Sequence, residues 1–241
     1  VHPDFVESVR EALFNPGRYE AEASAGRGSI HMFRMGESKG ILRHYQRGGI
    51  VQHIMKDGYF MDNRPMRELR VWCHAFESGI QAPLPLGIIW FRRGPFYHGA
   101  IAAQYIESEH LQAWLESDPK AESRKEVLYH AGESIRAMHA VNIVHADLQV
   151  RNILIDTDGK SWIIDFDDAV ISETISDNAR YRNLLRLRRS FQKNFLDLND
   201  FDSLCEGYGL DTLPQALELV YSIKRKISDA LGHSTGEADN K

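Results

Sequence analysis

Two segments, HADLQVRNILI at 145–155 and WIIDFDDA at 162–169, restrict the fold of this 241-residue chain more than any other part of it. The β-branched, apolar runs Ile153 to Ile155 and Trp162 to Ile164 flank a DTDG turn signal, a pattern that predicts an antiparallel hairpin. Asp147 and Asn152 are five residues apart and Asp165 follows Asp147 by eighteen, so a hairpin of this length returns Asp165 to the neighbourhood of Asp147. A lone Asp or Asn ordinarily caps a turn. Three of them, spaced around two apolar strands, point instead to a shared site.

The residue types suit phosphoryl transfer, which needs an aligned acceptor hydroxyl and neutralised phosphate charge rather than covalent help. A carboxylate at Asp147 can take the hydroxyl proton, while Asn152 and Asp165 offer hard oxygen donors to Mg²⁺. The order H-x-D-L-x-x-x-N followed by D-F resembles the catalytic segment of kinases. Asp167 stands where that pattern has Gly; it is either a further metal contact or a cap on the next turn.

Upstream, AGRGSIHMF at 25–33 puts Gly26, Arg27 and Gly28 in a tight turn before a strand, where backbone amides can cover phosphates. Taken by itself such a turn reads as an ordinary hairpin turn. GILRHY at 40–45 reads as the strand carrying the cation for the nucleotide, here Arg43, whose planar fork makes bidentate contacts. A helix beginning at Arg64 with Pro65 in its first turn carries Leu69, Trp72, Cys73 and Phe76 on one face and stops at Ser78-Gly79. Glu68, beside that stripe, is either the inward partner of Arg43 or a solvated carboxylate.

LRHYQRGG at 42–49, the Glu68 helix followed by GIQAPLPLG, HADLQVRNILI and IIDFDDA together resemble the Kdo and heptose lipopolysaccharide kinase family, on its 3-deoxy-D-manno-octulosonic acid (Kdo) side, over roughly residues 26–195. The resemblance implies an α+β, protein-kinase-like fold of two lobes. A β-rich nucleotide-binding lobe would span 1–105, and a small, reduced helical lobe with the catalytic hairpin 106–241. It implies an ATP- and Mg²⁺-dependent enzyme that phosphorylates a Kdo hydroxyl of Kdo-lipid A in inner-core lipopolysaccharide biosynthesis. Asp147 would be catalytic, Asn152 and Asp165 metal ligands, and Gly26, Arg27, Gly28, Arg43 and Glu68 the nucleotide-handling set. The other readings are a kinase for a heptose or an aminoglycoside-type small molecule, and a catalytically silent binding module.

Charge distribution addresses the acceptor. NARYRNLLRLRRSFQK at 178–193 holds six basic residues and no acidic one in a chain of formal net charge −5. At helical spacing Leu184, Leu187, Phe191 and Phe195 form an apolar stripe, and Arg182, Arg186, Arg189 and Lys193 a separate basic face. That face is either a solvated surface or a reader of an anionic partner, and Arg forks suit the carboxylates and phosphates of a Kdo-lipid A acceptor and an anionic membrane surface. Arg47, before Gly48 and Gly49, is a further candidate anion contact. Overall acidity argues against nucleic acid.

Only 76 residues follow Asp165 and no A-P-E sequence occurs, which argues against a protein substrate. The N-terminal segment reads as an amphipathic helix with Phe5, Val6, Val9 and Leu13 rather than a signal peptide, and the longest apolar run, LPLGIIWF at 84–91, is far short of a span. The expected location is therefore cytoplasmic, peripheral on the cytoplasmic face of the inner membrane. Cys73 and Cys205 lack metal-like spacing and read as buried free thiols. Further helices are expected at 122–139, with Val127, Leu128, Ala131, Ile135 and Met138 on one face, and at 178–195 and 214–231.

Overall fold

The computed structural model describes residues 3–15, 21–22, 30–44, 64–93 and 96–211, and the regular elements there follow the hydrophobic periods of the sequence. Strands β1 (Ala21–Glu22), β2 (Ile30–Met35), β3 (Ser38–His44), β4 (Pro85–Arg93) and β5 (Phe96–Gln104) form one antiparallel sheet in the order β1-β2-β3-β5-β4. Side chains alternate across a strand, so β5 serves two cores. Ala100 and Ala102 join Phe33 and Leu42 beneath helix α1 (Val6–Phe14), which buries Val9, Ala12 and Leu13. Ile101 and Ala103 face the other way, into a core shared with helix α2 (Arg64–Glu77).

The face α2 buries is turned by about one residue from the expected stripe. Val71, Trp72 and Ala75 are buried together with Glu68, Leu69 and Cys73 sit at the margin, and Phe76 is exposed. Glu68, Val71, Trp72 and Ala75 are one i, i+3, i+4, i+7 set. A carboxylate on that set needs a partner, and the turn of the helix that supplies one puts Phe76 outside.

Among the described residues, the second half is built on shorter sheets and four helices. β6 (Ser108–His110), β8 (Ile153–Asp156) and β9 (Ser161–Ile163) form an antiparallel sheet ordered β6-β8-β9, and β7 (Ile143–Val144) pairs with β10 (Val170–Ile171). The helices are α3 (Leu111–Glu116), α4 (Ala121–Ala140), α5 (Asp177–Lys193) and α6 (Leu198–Tyr208). α4 buries Val127, Leu128, Ala131, Ile135 and Met138, the face its periodicity predicts. The fold class is α+β, with antiparallel sheets and helices in separate runs.

Helix α5 buries Leu184, Leu187 and Phe191, but Phe195 is 97% exposed. The helix ends at Lys193 in a Schellman turn: Leu196 N donates to Phe191 O, Phe195 N donates to Gln192 O, and Phe195 adopts φ +58°. That reversal gives the inward contact to Leu196. Asp197 then caps α6 by accepting from Asn199 N at 3.0 Å. α6 crosses α4 at two glycines, because a Cβ on Gly132 would run into the Leu204 carbonyl and one on Gly207 into the Tyr129 carbonyl.

Cys205 is a buried free thiol, which burial pushes up to about 12, whereas Cys73 is only part-buried, contrary to the expectation of two buried thiols, and its thiol is raised by partial burial. No helix among the described residues is long and apolar enough to cross a membrane. Gly26, Arg27, Gly28, Arg47, the apex of the β4–β5 turn and the expected helix at 214–231 lie outside the described residues.

Candidate active site

The loop after β7 is held by side chains that leave few conformations open to it. His145 is fully buried. Its Nδ1 accepts from Asp147 N at 3.1 Å, so the ring proton sits on Nε2, which donates to Ile164 O at 3.0 Å. Asn183 of α5 clamps the same residue: its Nδ2 donates to His145 O and its Oδ1 accepts from His145 N, both at 3.0 Å. Asn183 Oδ1 also accepts from His139 Nε2 at 3.1 Å, and His139 Nδ1 accepts from Tyr208 OH at 2.8 Å. Burial lowers His139 to about 4 and lowers His145 too, so both rings are neutral donors and acceptors at neutral pH. Farther along, Val150 N donates to Ser190 Oγ at 3.0 Å. α5 thus grips the loop at both ends.

Asp147 rises from this frame half-exposed, with each carboxylate oxygen contacted once. Oδ2 accepts from Gln149 Nε2 at 2.6 Å and Oδ1 from Arg186 Nη1 at 3.3 Å. Asn152 Nδ2 donates to Asp147 O at 2.7 Å, which fixes the amide orientation and leaves Oδ1 as an acceptor. Ile164 N donates to Asn152 O at 3.0 Å, so the β8–β9 hairpin brings Asp165 to the loop that carries Asn152. Asp165 has φ +66°, a left-handed backbone unusual for a residue with a Cβ. The next residue, Phe166, is buried between His145 and Trp72, with ring centroids 5.7 and 6.1 Å away.

Arg43 joins this centre to the large sheet. Its Nη2 lies 2.6 Å from Glu68 Oε1 and its Nη1 donates to Asp165 Oδ1 at 3.0 Å, so one guanidinium bridges both carboxylates. The Glu68 side chain has no exposure and Arg43 and Asp165 are each about one-third exposed, which aims the bridge from the core toward solvent. Arg67 reaches Asp168 at 3.0 Å, a second tie between α2 and the segment after Asp165.

A magnesium ion fits this donor set. Asp165 has a second carboxylate oxygen outside the Arg43 contact, and Asn152 presents its amide oxygen; both are hard donors. No group of three or more His, Cys, Asp or Glu able to hold a metal occurs among the described residues. Mg²⁺ at phosphate-transfer sites is commonly held by one or two side chains, with phosphate oxygens completing the shell.

The basic side of α5 is exposed at Arg182, Arg186, Arg189 and Lys193. The three arginines, with Asn183 and Ala146, line a cleft of about 310 Å³ against the catalytic loop. The site therefore brings together Asp147, Asn152, Asp165, Arg43, Glu68 and Arg186.

Comparison with known proteins agrees with this arrangement. The model of the lipopolysaccharide kinase (Kdo/WaaP) family matches residues 17–208. The chain belongs to that family. It is similar to the 3-deoxy-D-manno-octulosonic acid kinase of Vibrio vulnificus (strain YJ016), with 31% identity over 221 residues, 85% of this chain and 92% of that protein. The kinase of the same name from Xylella fastidiosa (strain 9a5c) is 32% identical over 219 residues, 85% of this chain and 86% of the relative. That of Vibrio cholerae serotype O1 (strain ATCC 39315 / El Tor Inaba N16961) is 31% identical over 176 residues, 71% and 73% of the two chains.

Some of the residues that build the site in this lipopolysaccharide kinase family member carry no motif. Asn183, Ser190 and His139 sit in helices whose other faces explain them fully, so sequence patterning passes over them. The one available signal for Asn183 and Ser190 is a small polar residue at a buried position of α5.

Proposed function

We propose that the chain is an ATP-dependent kinase that phosphorylates a Kdo hydroxyl on a Kdo-lipid A type acceptor in lipopolysaccharide core assembly. The observation that carries this reading is the placement of Asp147 on a rigid loop, beside Asn152 and the Arg43-Asp165 bridge, in a chain whose relatives named above are Kdo kinases. Asp147 takes the proton of the acceptor hydroxyl as its oxygen bonds to the γ-phosphorus and the bond to the β-phosphate oxygen breaks, releasing ADP. Asn152 and Asp165 hold the magnesium ion, which neutralises phosphate charge when bound. Arg43, oriented by Glu68, and the Gly26-Arg27-Gly28 segment handle the nucleotide.

The wider reading is a two-lobed, protein-kinase-like fold with residues 1–105 around the five-stranded sheet and 106–241 forming the helical part. The buried helices and catalytic hairpin beyond residue 106 support it. The exposed basic side of α5, with Arg47 as a further contact, supports recognition of an anionic glycolipid and attachment to an anionic membrane surface from its cytoplasmic side.

The test is phosphate transfer from ATP in the presence of Mg²⁺ to Kdo-lipid A, compared with a heptosylated acceptor. Transfer to the first and not the second is expected, with Asp147→Asn lowering the rate roughly 100-fold or more. Turnover by pure Asp147→Asn near the wild-type rate removes the role given to Asp147, and transfer only to the heptosylated acceptor removes the Kdo assignment.

A further inference from the structure

We propose that the cleft beside Asp147 receives the carboxylate of the acceptor sugar, and that this carboxylate draws Arg186 off Asp147, freeing Oδ1 for the acceptor hydroxyl. The inference rests on the Kdo kinase reading of the same site and adds how the acceptor is recognised and what its arrival does. Arg182, Arg186 and Arg189 recur at i, i+4 and i+7 on α5, so they project to one side. Their cleft is of a size for a small ligand, and its described lining contains no acidic residue.

Each carboxylate oxygen of Asp147 already accepts one hydrogen bond, Oδ2 from Gln149 and Oδ1 from Arg186, so the Arg186 guanidinium occupies one of the approaches to Oδ1. The Arg186 contact is long at 3.3 Å and single, with the two side chains 53% and 50% exposed. Such pairs are weak and exchange readily. An incoming carboxylate that meets the guanidinium with two parallel hydrogen bonds is the better partner. The exchange leaves the acceptor anion paired with Arg186 and Asp147 Oδ1 open beside the sugar. An acceptor without the anion gains neither the contact nor the open oxygen.

The position of Arg186 also selects among the anions of a glycolipid. A guanidinium that reaches Asp147 can reach only groups within about one sugar ring of the reacting hydroxyl. The carboxylate of the sugar acid itself lies in that range, whereas phosphates on neighbouring sugars of the lipid do not share the ring.

The experiment uses a water-soluble Kdo glycoside without lipid and its methyl ester, which differ in the charge of one group and exclude any membrane contribution. Wild-type enzyme is expected to favour the free acid by about 10- to 100-fold in kcat/KM, the effect of one charged hydrogen-bonded contact. Arg186→Gln should reduce that preference to a few-fold by slowing the acid more than the ester. It should also raise acceptor-independent ATP hydrolysis, because Asp147 is no longer masked. Equal use of acid and ester by the wild type overturns the proposal whether or not the variant folds, and so does a folded Arg186→Gln that keeps the wild-type preference. If neither glycoside nor Kdo-lipid A is phosphorylated, the Kdo kinase reading falls and this inference with it; if both glycosides are used equally, only this inference falls.

Discussion

Acidification should destabilise this fold through His139, by an amount its environment sets. The ring is fully buried, donates to Asn183 and accepts from Tyr208, and burial depresses its pKa from 6.5 to about 4. Between those values the unfolded chain binds a proton that the folded chain refuses. The stabilisation is therefore complete above pH 6.5 and is lost as pH falls toward 4. From pH 7 to pH 5 the loss is about 2 kcal/mol for this one group. His145 is also lowered by burial and adds in the same direction, whereas Asp200 is raised by burial and acts oppositely. A comparison with His139→Gln cancels both. Urea unfolding followed by tryptophan fluorescence at pH 7 and pH 5 should show the wild type losing about 2 kcal/mol more than His139→Gln. Equal losses in the two proteins, with equal m-values, would refute a neutral buried imidazole at this position.

Gly207→Ala should lower stability by about 1–3 kcal/mol, because its Cβ would meet the Tyr129 carbonyl where α4 and α6 cross; thermal unfolding by circular dichroism measures it, and an unchanged Tm would mean the helices do not approach so closely. Arg43→Ala and Glu68→Ala should each reduce kcat/KM for ATP about tenfold or more, and the double variant should be little worse than the poorer single one, since both disable one bridge. A double variant showing the product of the single effects would separate the two residues.

The parts of the architecture with strong local period could be read from the sequence. Helix α4 buries the five residues its spacing marks, and the β8–β9 hairpin follows from two apolar runs and a DTDG turn. Elements whose identity depends on distant partners were harder. β7 and β10 are two-residue strands that exist only as each other's complement. α2 is turned so that Glu68 reaches Arg43 on another strand, a requirement invisible within the helix itself. Phe195 reads as the continuation of the α5 stripe until the Schellman turn ends the helix before it. Within the site, the juxtaposition of Asp147, Asn152 and Asp165 could be read from their spacing around one hairpin, whereas Glu68 stood open between an inward partner of Arg43 and a solvated carboxylate, an alternative that only the contact between the two side chains closes. The Arg186 contact to Asp147 crosses 39 residues of sequence and could be anticipated only as a basic face.

The double duty of α5 limits how this scaffold can diversify. Residues that line the cleft and residues that fix the catalytic loop are sequence neighbours, Arg182 with Asn183 and Arg189 with Ser190. One inserted or deleted residue turns the following part of a helix by about 100°, so a length change within α5 would displace the acceptor face and the loop anchors together. New acceptor preferences on this framework are thus accessible by exchanging outward side chains one at a time, while the helix length and its inward Asn and Ser stay under a separate and stricter constraint.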